Sequence, residues 1–267
     1  MLFRSGQASI ANSTISGNVL LPGKAGAGGT TKKGGTPGNQ GTQGNSLGGG
    51  AFLDKKFNIS QVTFDKNGAT YGGGADLHGD GTILSSTFSN NGSLKSGAGL
   101  AIESGTVKIQ NSTFAKNGAL ANGGAIEITG GTVSIHNSTI AANAAKGSGG
   151  GIAVTGIISV DIVSSIIAGN SALGSDSDLA GTFTASHDLI GFLSGGTHLS
   201  TDDTNLKNAN PLLSALAMNG GSTATMLPSV SSPAIDNGSN VDSLTTDQRG
   251  LPRSQGLTDI GAVEIQL

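Results

Sequence analysis

Four acidic residues and one histidine in the middle of the chain have the types and spacing to do chemistry: Asp76, His78, Asp80, Glu103 and Glu127. They recur at equivalent positions of a repeated segment, and strands about 4.8 Å apart would hold them as one acidic patch. Carboxylate oxygens suit a hard cation such as Ca²⁺, and paired carboxylates can also perform acid–base work on a polysaccharide. A solvated strand face carries such charges as well. The patch is therefore a candidate binding site, with no residue assigned a catalytic role.

The patch depends on how the second strand of each repeat is aligned. One column is apolar and reads Leu77, Ile102, Ile128 and Val154. The column before it reads Asp76, Ala101, Glu127 and Ala153, and the column after it reads His78, Glu103, Thr129 and Thr155. Because side chains of a strand alternate between its two faces, the first of these polar columns is expected to point outward.

A turn asparagine marks the repeat, and the six copies are separated by 49, 24, 26, 26 and 27 residues: Asn18, Asn67, Asn91, Asn117, Asn143 and Asn170. Eight residues before each asparagine stands an isoleucine: Ile10, Ile59, Ile83, Ile109, Ile135 and Ile162. Three residues before it stands Ile15, Phe64, Phe88, Phe114, Ile140 or Ile167. Such a period is typical of a stacked solenoid. The asparagines are predicted to form a structural ladder, because Asn tolerates left-handed backbone and its amide can bond to the next coil.

Within each repeat the hydrophobic period is two, which predicts strands rather than helices. A leucine-rich repeat would need a bulky residue five positions before the asparagine, but that column reads Ser13, Val62, Ser86, Ser112, Ser138 and Ser165. A parallel β-helix can stack small hydroxyls there. We therefore predict an all-β, right-handed parallel β-helix, a pectate-lyase-like solenoid of about 7 coils.

The repeat divides the chain into two parts. Residues 1–191 are predicted to form the β-helix, interrupted by a glycine-rich inserted loop at about 20–47. Residues 192–267 leave the repeat and are predicted to be a C-terminal capping segment of the same solenoid, closed in part by an Arg249–Asp ion pair. Between them, Asp176 and Asp178 form a second, weaker candidate for Ca²⁺. No cofactor is predicted beyond this ion.

A threonine column occurs four residues before the asparagines, at Thr14, Thr63, Thr87, Thr113 and Thr139. A flat, outward threonine rank is what ice-binding β-helices use, but the column two positions on does not supply a second rank. Strand-favouring threonine with contacts between coils is the expected explanation.

Two groups of motifs resemble known families. The Phe-x-x-Asn and Gly-Gly-Ala-apolar pairs, such as Phe114–Asn117 with Gly123–Ile126, resemble the repeats of polymorphic outer-membrane proteins and related bacterial β-helix surface proteins. The C-terminal motifs, including Ser232–Asp236 and Asp259–Glu264, look like the tail of choice-of-anchor Q β-helix proteins. The resemblance implies an exported bacterial protein at the cell surface or outside the cell, and it implies no single activity.

The amino-acid composition limits the kinds of ligand and partner that the chain is expected to bind. The chain has 267 residues, no Cys, a net charge of −3 and only 3% aromatic residues, so a thiolate metal site and a basic nucleic-acid groove are not expected. No apolar run reaches the length of a membrane span. The first coil has begun by Ala8 and lacks a preceding cap or export signal, so the chain is predicted to be part of a longer polypeptide.

Two functions stay open at this stage. The first is a non-enzymatic scaffold, an adhesin-like stalk or binding module whose partner is a host or matrix polysaccharide or a surface protein. The second is a polysaccharide lyase or glycoside hydrolase that uses Asp76, His78, Glu103 and Glu127. Lys95 and Lys108 are the nearest basic residues for the second, and neither lies in a recognisable motif.

Overall fold

The computed structural model describes residues 2–3, 7–25, 44–156, 158, 160–194, 197–201, 204–253 and 257–266. Regular structure in these ranges consists of short strands, without a helix. All strand pairs are parallel. The chain therefore forms a parallel β-solenoid, as the sequence predicted, whereas the right-handed sense of winding stays a prediction.

The strands of the first half of the chain are β1 (Leu2–Phe3), β2 (Ala8–Ser16), β3 (Ala51–Leu53), β4 (Phe57–Asp65), β5 (Gly68–Ala69), β6 (Ala75–Leu77), β7 (Gly81–Leu84), β8 (Thr87–Ser89), β9 (Gly92–Ser93), β10 (Leu100–Ile102), β11 (Thr106–Gln110), β12 (Thr113–Ala115) and β13 (Gly118–Ala119). Those of the second half are β14 (Ile126–Ile128), β15 (Thr132–His136), β16 (Thr139–Ala141), β17 (Ala144–Ala145), β18 (Ile152–Val154), β19 (Val160–Val163), β20 (Ile166–Ala168), β21 (Ser171–Ala172), β22 (Leu179–Ala180), β23 (Thr182–Ser186), β24 (Leu189–Ile190), β25 (His198–Thr201) and β26 (Leu206–Lys207).

Three sheets run along the solenoid. The first has the order β1-β3-β6-β10-β14-β18-β22, and the third has the order β21-β17-β13-β9-β5. The second sheet is the largest, with 14 strands, because each turn contributes two strands separated by a bend. Five turns contribute to all three sheets, so the solenoid has about five complete turns with partial turns at both ends, slightly fewer than the 7 coils expected.

Most of the predicted glycine-rich insertion, residues 26–43, lies outside the described residues. Its two ends are tied to the first complete turn. The backbone N–H of Leu20 donates to Gly68 at 2.8 Å, and Leu47 forms a parallel bridge with Tyr71. The solenoid thus continues in register on both sides of the insertion.

The core consists of the columns that the repeat predicted. Ile59, Ile83, Ile109, Ile135 and Ile162 are buried and follow one another in register. The phenylalanine column is also buried, and the rings of Phe64, Phe88 and Phe114 stack with centroids 4.6 and 4.7 Å apart. Burial of each such large side chain contributes about 1.5–3 kcal/mol, which offsets the conformational cost of the many glycines.

The asparagine ladder is confirmed, and its asparagine-to-asparagine hydrogen bonds are all donated towards the following turn. The backbone N–H and the side-chain amide of Asn91 both donate to Oδ1 of Asn117, at 3.0 and 2.9 Å, and the same pair of bonds recurs at the other steps. The last step ends on the carboxylate of Asp178. The left-handed backbone lies one residue earlier than expected, for example at Lys116, where φ is 59°. Hydrogen bonding between coils, rather than backbone conformation, therefore explains the asparagines.

The serine column forms a second ladder. The backbone N–H of Ser86 donates to the Ser112 hydroxyl at 3.2 Å, and that of Ser112 donates to the Ser138 hydroxyl at the same distance. These residues sit at the bend between the two halves of the second sheet, where the strand ladder is interrupted. The hydroxyls satisfy backbone groups that would otherwise be buried without a partner.

The described residues between 211 and 264, called the C-terminal segment below, pack along the side of the second sheet. Gln248 accepts a hydrogen bond from the Thr113 hydroxyl at 2.6 Å, and the Ala262 N–H donates to the Thr139 hydroxyl at 3.1 Å. The predicted Arg249–Asp pair is present, with Arg249 Nη2 at 2.8 Å from Asp247. Before this segment, β25 and β26 extend the second sheet beyond residue 192.

Candidate functional site

The structure places the predicted acidic patch on the first sheet as the alignment required. Asp76 pairs in register with Ala101, and Ala101 pairs with Glu127. His78 and Glu103 follow at the ends of these strands, where their N–H groups bond back to Leu53 and Leu77. The columns are therefore correct. What the sequence did not predict is how deeply their members are buried.

Asp76 is fully buried and contacts His78, whose side chain is partly exposed. Asp76 is 0% exposed, and its Oδ1 lies 2.9 Å from His78 Nε2. The two atoms are close enough for a strong electrostatic interaction, but neither has a well-aligned hydrogen bond to a described residue. The left-handed Gly72 turn packs against the residues next to it, since a Cβ on Gly72 would come within 2.4 Å of the Ala75 carbonyl oxygen and 2.8 Å of the Asp76 Cβ. Glycine at this position is thus required by close packing as well as by its φ.

Burial raises the pKa of Asp76 to about 6, although His78 opposes the shift and Glu103 adds to it. Burial also raises the pKa of Glu127 to about 7, with a hydrogen bond from Ser96 acting against the shift and Glu103 in its favour. Glu127 is 6% exposed. Both groups therefore retain protons at pH values where an ordinary carboxyl has lost them. This behaviour is unlike that of the ionised, accessible carboxylates that bind Ca²⁺.

The other two acids of the patch are partly or fully exposed and bond locally. Asp80 accepts the backbone N–H of Thr106 at 2.8 Å, so it fixes the turn of the next coil. Glu103 accepts the Thr129 hydroxyl at 3.0 Å. Among the described residues no group of three or more His, Cys, Asp or Glu side chains has a geometry that could hold a metal ion.

The second calcium candidate is explained by the fold. Asp178 accepts the N–H and the side-chain amide of Asn170 through Oδ1 and the N–H of Phe192 through Oδ2, at 2.9, 2.8 and 2.6 Å. Asp176 instead accepts the Ser175 hydroxyl. With both Asp178 oxygens committed to N–H donors, this carboxylate terminates the asparagine ladder.

A polar cluster that the sequence analysis missed joins the C-terminal segment to the second sheet. His136 Nδ1 lies 2.8 Å from Asp242 Oδ2, and His136 Nε2 lies 3.1 Å from Asp161. Asp242 also accepts bonds from Lys108 and Gln110, at 2.5 and 2.6 Å. Burial works to raise the pKa of Asp242, but these three partners outweigh it and hold the pKa below its ordinary value.

Both ring nitrogens of His136 face carboxylates, so the imidazole bridges two elements and keeps no nitrogen for a ligand. Lys108, one of the two basic residues that could serve as the base of an enzyme, forms an ion pair with Asp242 in the same cluster. Lys95, the other basic candidate, lies over the Tyr71 ring at 5.2 Å from its centroid. From the sequence, only the neighbouring positions of His136 and Gln110 on adjacent strands could have pointed to this cluster. Asp242 lies outside the repeat, so no repeat position predicts its contact with them.

The threonine column is covered rather than displayed. Thr87, Thr113 and Thr139 are buried, and their hydroxyls bond to the C-terminal segment at Ala224, Gln248 and Ala262. The flat outward face that ice binding would require is therefore absent from these three turns. The expected pairing between coils is present, since Thr113 is in register with Thr87 and Thr139, and the C-terminal segment adds contacts that the sequence did not predict.

Comparison with known proteins gives no relative: no protein-family model matches the chain, and neither a curated protein nor a solved structure is detectably similar. The likeness to bacterial surface repeats and to choice-of-anchor Q tails thus stays a prediction. The part of the chain that the structure describes includes no helix long and apolar enough to cross a bilayer.

Proposed function

We propose that this chain is a non-enzymatic β-solenoid of an exported or cell-surface protein, in which it serves as a scaffold or binding module. The observation that carries the proposal is the burial of two of the three acids that an enzyme would have used, while the third, Glu103, is partly exposed and accepts the Thr129 hydroxyl. Asp76 and Glu127 are 0% and 6% exposed. A general acid or base must come within hydrogen-bond reach of its substrate, and a polymer cannot approach buried carboxylates.

The second sheet supports the same proposal. The C-terminal segment covers the threonines of three successive turns and ties its own Asp242 to Lys108 and His136. The polar groups on this face satisfy one another within the protein. Such a surface stabilises the solenoid and leaves binding to its exposed edges and grooves.

The resemblance of the repeats to bacterial surface proteins supports the extracellular setting. The regular ladders suit a stalk-like role, because each coil is held mainly by its two neighbours. We place the partner among matrix or host polysaccharides and surface proteins, in agreement with the low charge of −3.

A cleavage assay tests the absence of catalysis. The purified chain is incubated with acidic and neutral polysaccharides, and new reducing ends and unsaturated products are measured. We expect no turnover above that of the double variant Asp76→Asn, Glu127→Gln. Turnover in the native chain that the double variant lacks would refute the proposal.

A second experiment tests whether the protein is located outside the cell or on its surface. Antibodies raised against the purified chain are applied to intact cells of its natural producer and to the culture medium. We expect signal on the intact surface or in the medium. Signal that emerges only after the cells are broken would contradict the extracellular assignment.

A further inference from the structure

A groove with a volume of about 650 Å³ lies near the C-terminal end of the solenoid, between the second sheet and the C-terminal segment. Its size is in the range of small-molecule sites. None of the residues predicted from the sequence for the acidic patch lines it. Its surface therefore has to be explained separately from that patch.

The floor of the groove is apolar. Ala141 and Ala168 lie in register on adjacent strands, and both are buried except for the small surface that they present to the groove. On one side, Met226 of the C-terminal segment packs against Ala141. On the other side stands Phe192, which is 55% exposed. The apolar floor formed by Ala141 and Ala168, together with the exposed ring of Phe192, can contact one face of a ring-shaped ligand.

The rim of the groove offers fixed hydrogen-bond donors. Oδ1 of Asn208 accepts the N–H of Leu193, and Oδ1 of Asn210 accepts the N–H of Leu212, both at 3.0 Å. Each carboxamide is thereby held by its oxygen end. The two NH₂ groups donate to no described residue and remain available to a ligand.

The charges at the groove narrow the ligand class. Among the described lining residues there is no Lys, Arg or His, so they offer no counter-charge to a phosphate or carboxylate. The one acid among them, Asp178, already accepts three N–H bonds and is 1% exposed, so it offers no open cation site. The surface fits a neutral ligand with an apolar face and hydroxyl groups around its edge.

We infer that the groove binds one or two units of a neutral sugar, with a pyranose ring against Phe192 and the alanine floor and with its hydroxyls accepting from Asn208 and Asn210. The inference rests on the proposed function and names the ligand class for it. Binding of this kind fixes the end of the solenoid to a glycan without chemical change to either partner.

The test uses the whole chain and methyl glycosides of glucose, galactose, mannose and N-acetylglucosamine with their di- and trisaccharides. Saturation-transfer NMR identifies which of these bind, and calorimetry gives the Kd. We expect at least one sugar to bind, and Phe192→Ala to raise its Kd at least about tenfold, as for an aromatic anchor in a binding site. Asn210→Ala is expected to raise Kd by a smaller factor.

Leu94→Ala is the matched control, because Leu94 is 50% exposed and lies outside the groove. Its Kd should equal that of the native chain. The inference is overturned if no sugar of the panel binds, or if Phe192→Ala, folded by circular dichroism, binds as well as Leu94→Ala. Cleavage of a bound sugar would instead refute the proposed function while the binding site stands, so the two failures are distinguishable.

Discussion

Asp76 is a carboxyl group that the fold removes from water without giving it a well-aligned hydrogen bond. Its pKa in the folded chain is raised from 3.8 to about 6. Below pH 3.8 both states are protonated, and the contribution of Asp76 to stability is fully present. Between pH 3.8 and about 6 the unfolded chain has released the Asp76 proton while the folded chain still holds it. The contribution of Asp76 to stability is therefore lost as the pH rises through this range.

Asp76→Asn should therefore stabilise the protein at neutral pH and have little effect near pH 4. A shift of this size corresponds to about 2–3 kcal/mol at pH 8, reduced by the cost of burying an amide. Urea unfolding at pH 4 and pH 8 measures the difference. Asp80→Asn serves as the control, because Asp80 is exposed and an asparagine keeps an oxygen that can accept the Thr106 N–H. An equal effect of Asp76→Asn at both pH values would contradict the buried-proton explanation.

Asn117 is the middle residue of the asparagine ladder, and Asn117→Ala should be strongly destabilising. The side chain accepts two bonds from Asn91 and donates to Phe88 and Asn143, so its removal leaves buried polar groups unsatisfied. We expect a loss of about 2–4 kcal/mol in the free energy of unfolding.

Thermal and urea melts of Asn117→Ala measure this loss beside those of Asn58→Ala, at an exposed asparagine of β4 outside the ladder. Asn58→Ala should change the free energy of unfolding by no more than about 0.5 kcal/mol. Similar losses in the two variants would show that the ladder does not stabilise the solenoid.

At the scale of the element, the C-terminal segment is held to the second sheet by a few specific contacts. Asp242 connects it to Lys108 and His136. Because partners hold the pKa of Asp242 below 3.8, its contribution to stability is present above that value and is lost as the pH falls through the folded pKa.

Asp242→Asn should loosen this attachment at pH 7 and leave the solenoid intact. We expect faster hydrogen exchange in the C-terminal segment and a loss of about 1–3 kcal/mol, measured by exchange mass spectrometry and urea unfolding. Asp236→Asn changes an exposed acid of the same segment and should leave both values unchanged. If the two variants exchange alike, the cluster does not fasten the segment.

The elements differ in how far the sequence predicted them. The isoleucine, phenylalanine and asparagine columns could be predicted because each residue recurs once per turn, and stacking converts a constant interval into a contact. Asp242 and Gln248 each contact the solenoid at a single place, far away in the sequence. Because these contacts do not recur from turn to turn, the repeat pattern could not predict them. The charges of Asp76 and Glu127 were placed on the correct strands, but their burial was not predicted, because it depends on how the neighbouring turns pack.

The candidate groove could likewise be predicted only in part from the repeat pattern. Its alanine floor belongs to a column of the repeat, whereas Phe192, Asn208 and Met226 come from outside it. The relation between these parts is set by the path of the chain after the last complete turn. Single-sequence patterns contain no information on that path.

At the scale of the whole molecule, the C-terminal segment contacts turns from Ser85 to Ser164 and so requires a fixed number of turns between them. A second copy of residues 68–91, inserted after Asn91, duplicates the first contacted turn, and it should be tolerated because the copy can take over the contacts of Ser85 and Thr87. A second copy of residues 118–143, inserted after Asn143, separates contacts that must stay in register.

We expect the first insertion to keep a melting temperature near that of the native chain and the second to lower it clearly, by thermal melts followed with circular dichroism. Both insertions add a ladder asparagine, so they differ chiefly in position. Equal melting temperatures would show that the C-terminal segment does not set the register.

The asparagine ladder also has a chemical polarity. The side-chain oxygen of each interior ladder asparagine accepts from the asparagine of the preceding turn, and its amide donates both to the following ladder residue and to a backbone carbonyl of the preceding turn, as Asn117 does with Asn143 and Phe88. Asp178 accepts the two donors of Asn170 and has no side-chain amide of its own. The exchange of a carboxamide for a carboxylate therefore ends the asparagine ladder, because a carboxylate without a proton accepts hydrogen bonds and cannot donate one. The solenoid itself goes further, since β24 and β26 extend the second sheet beyond Asp178.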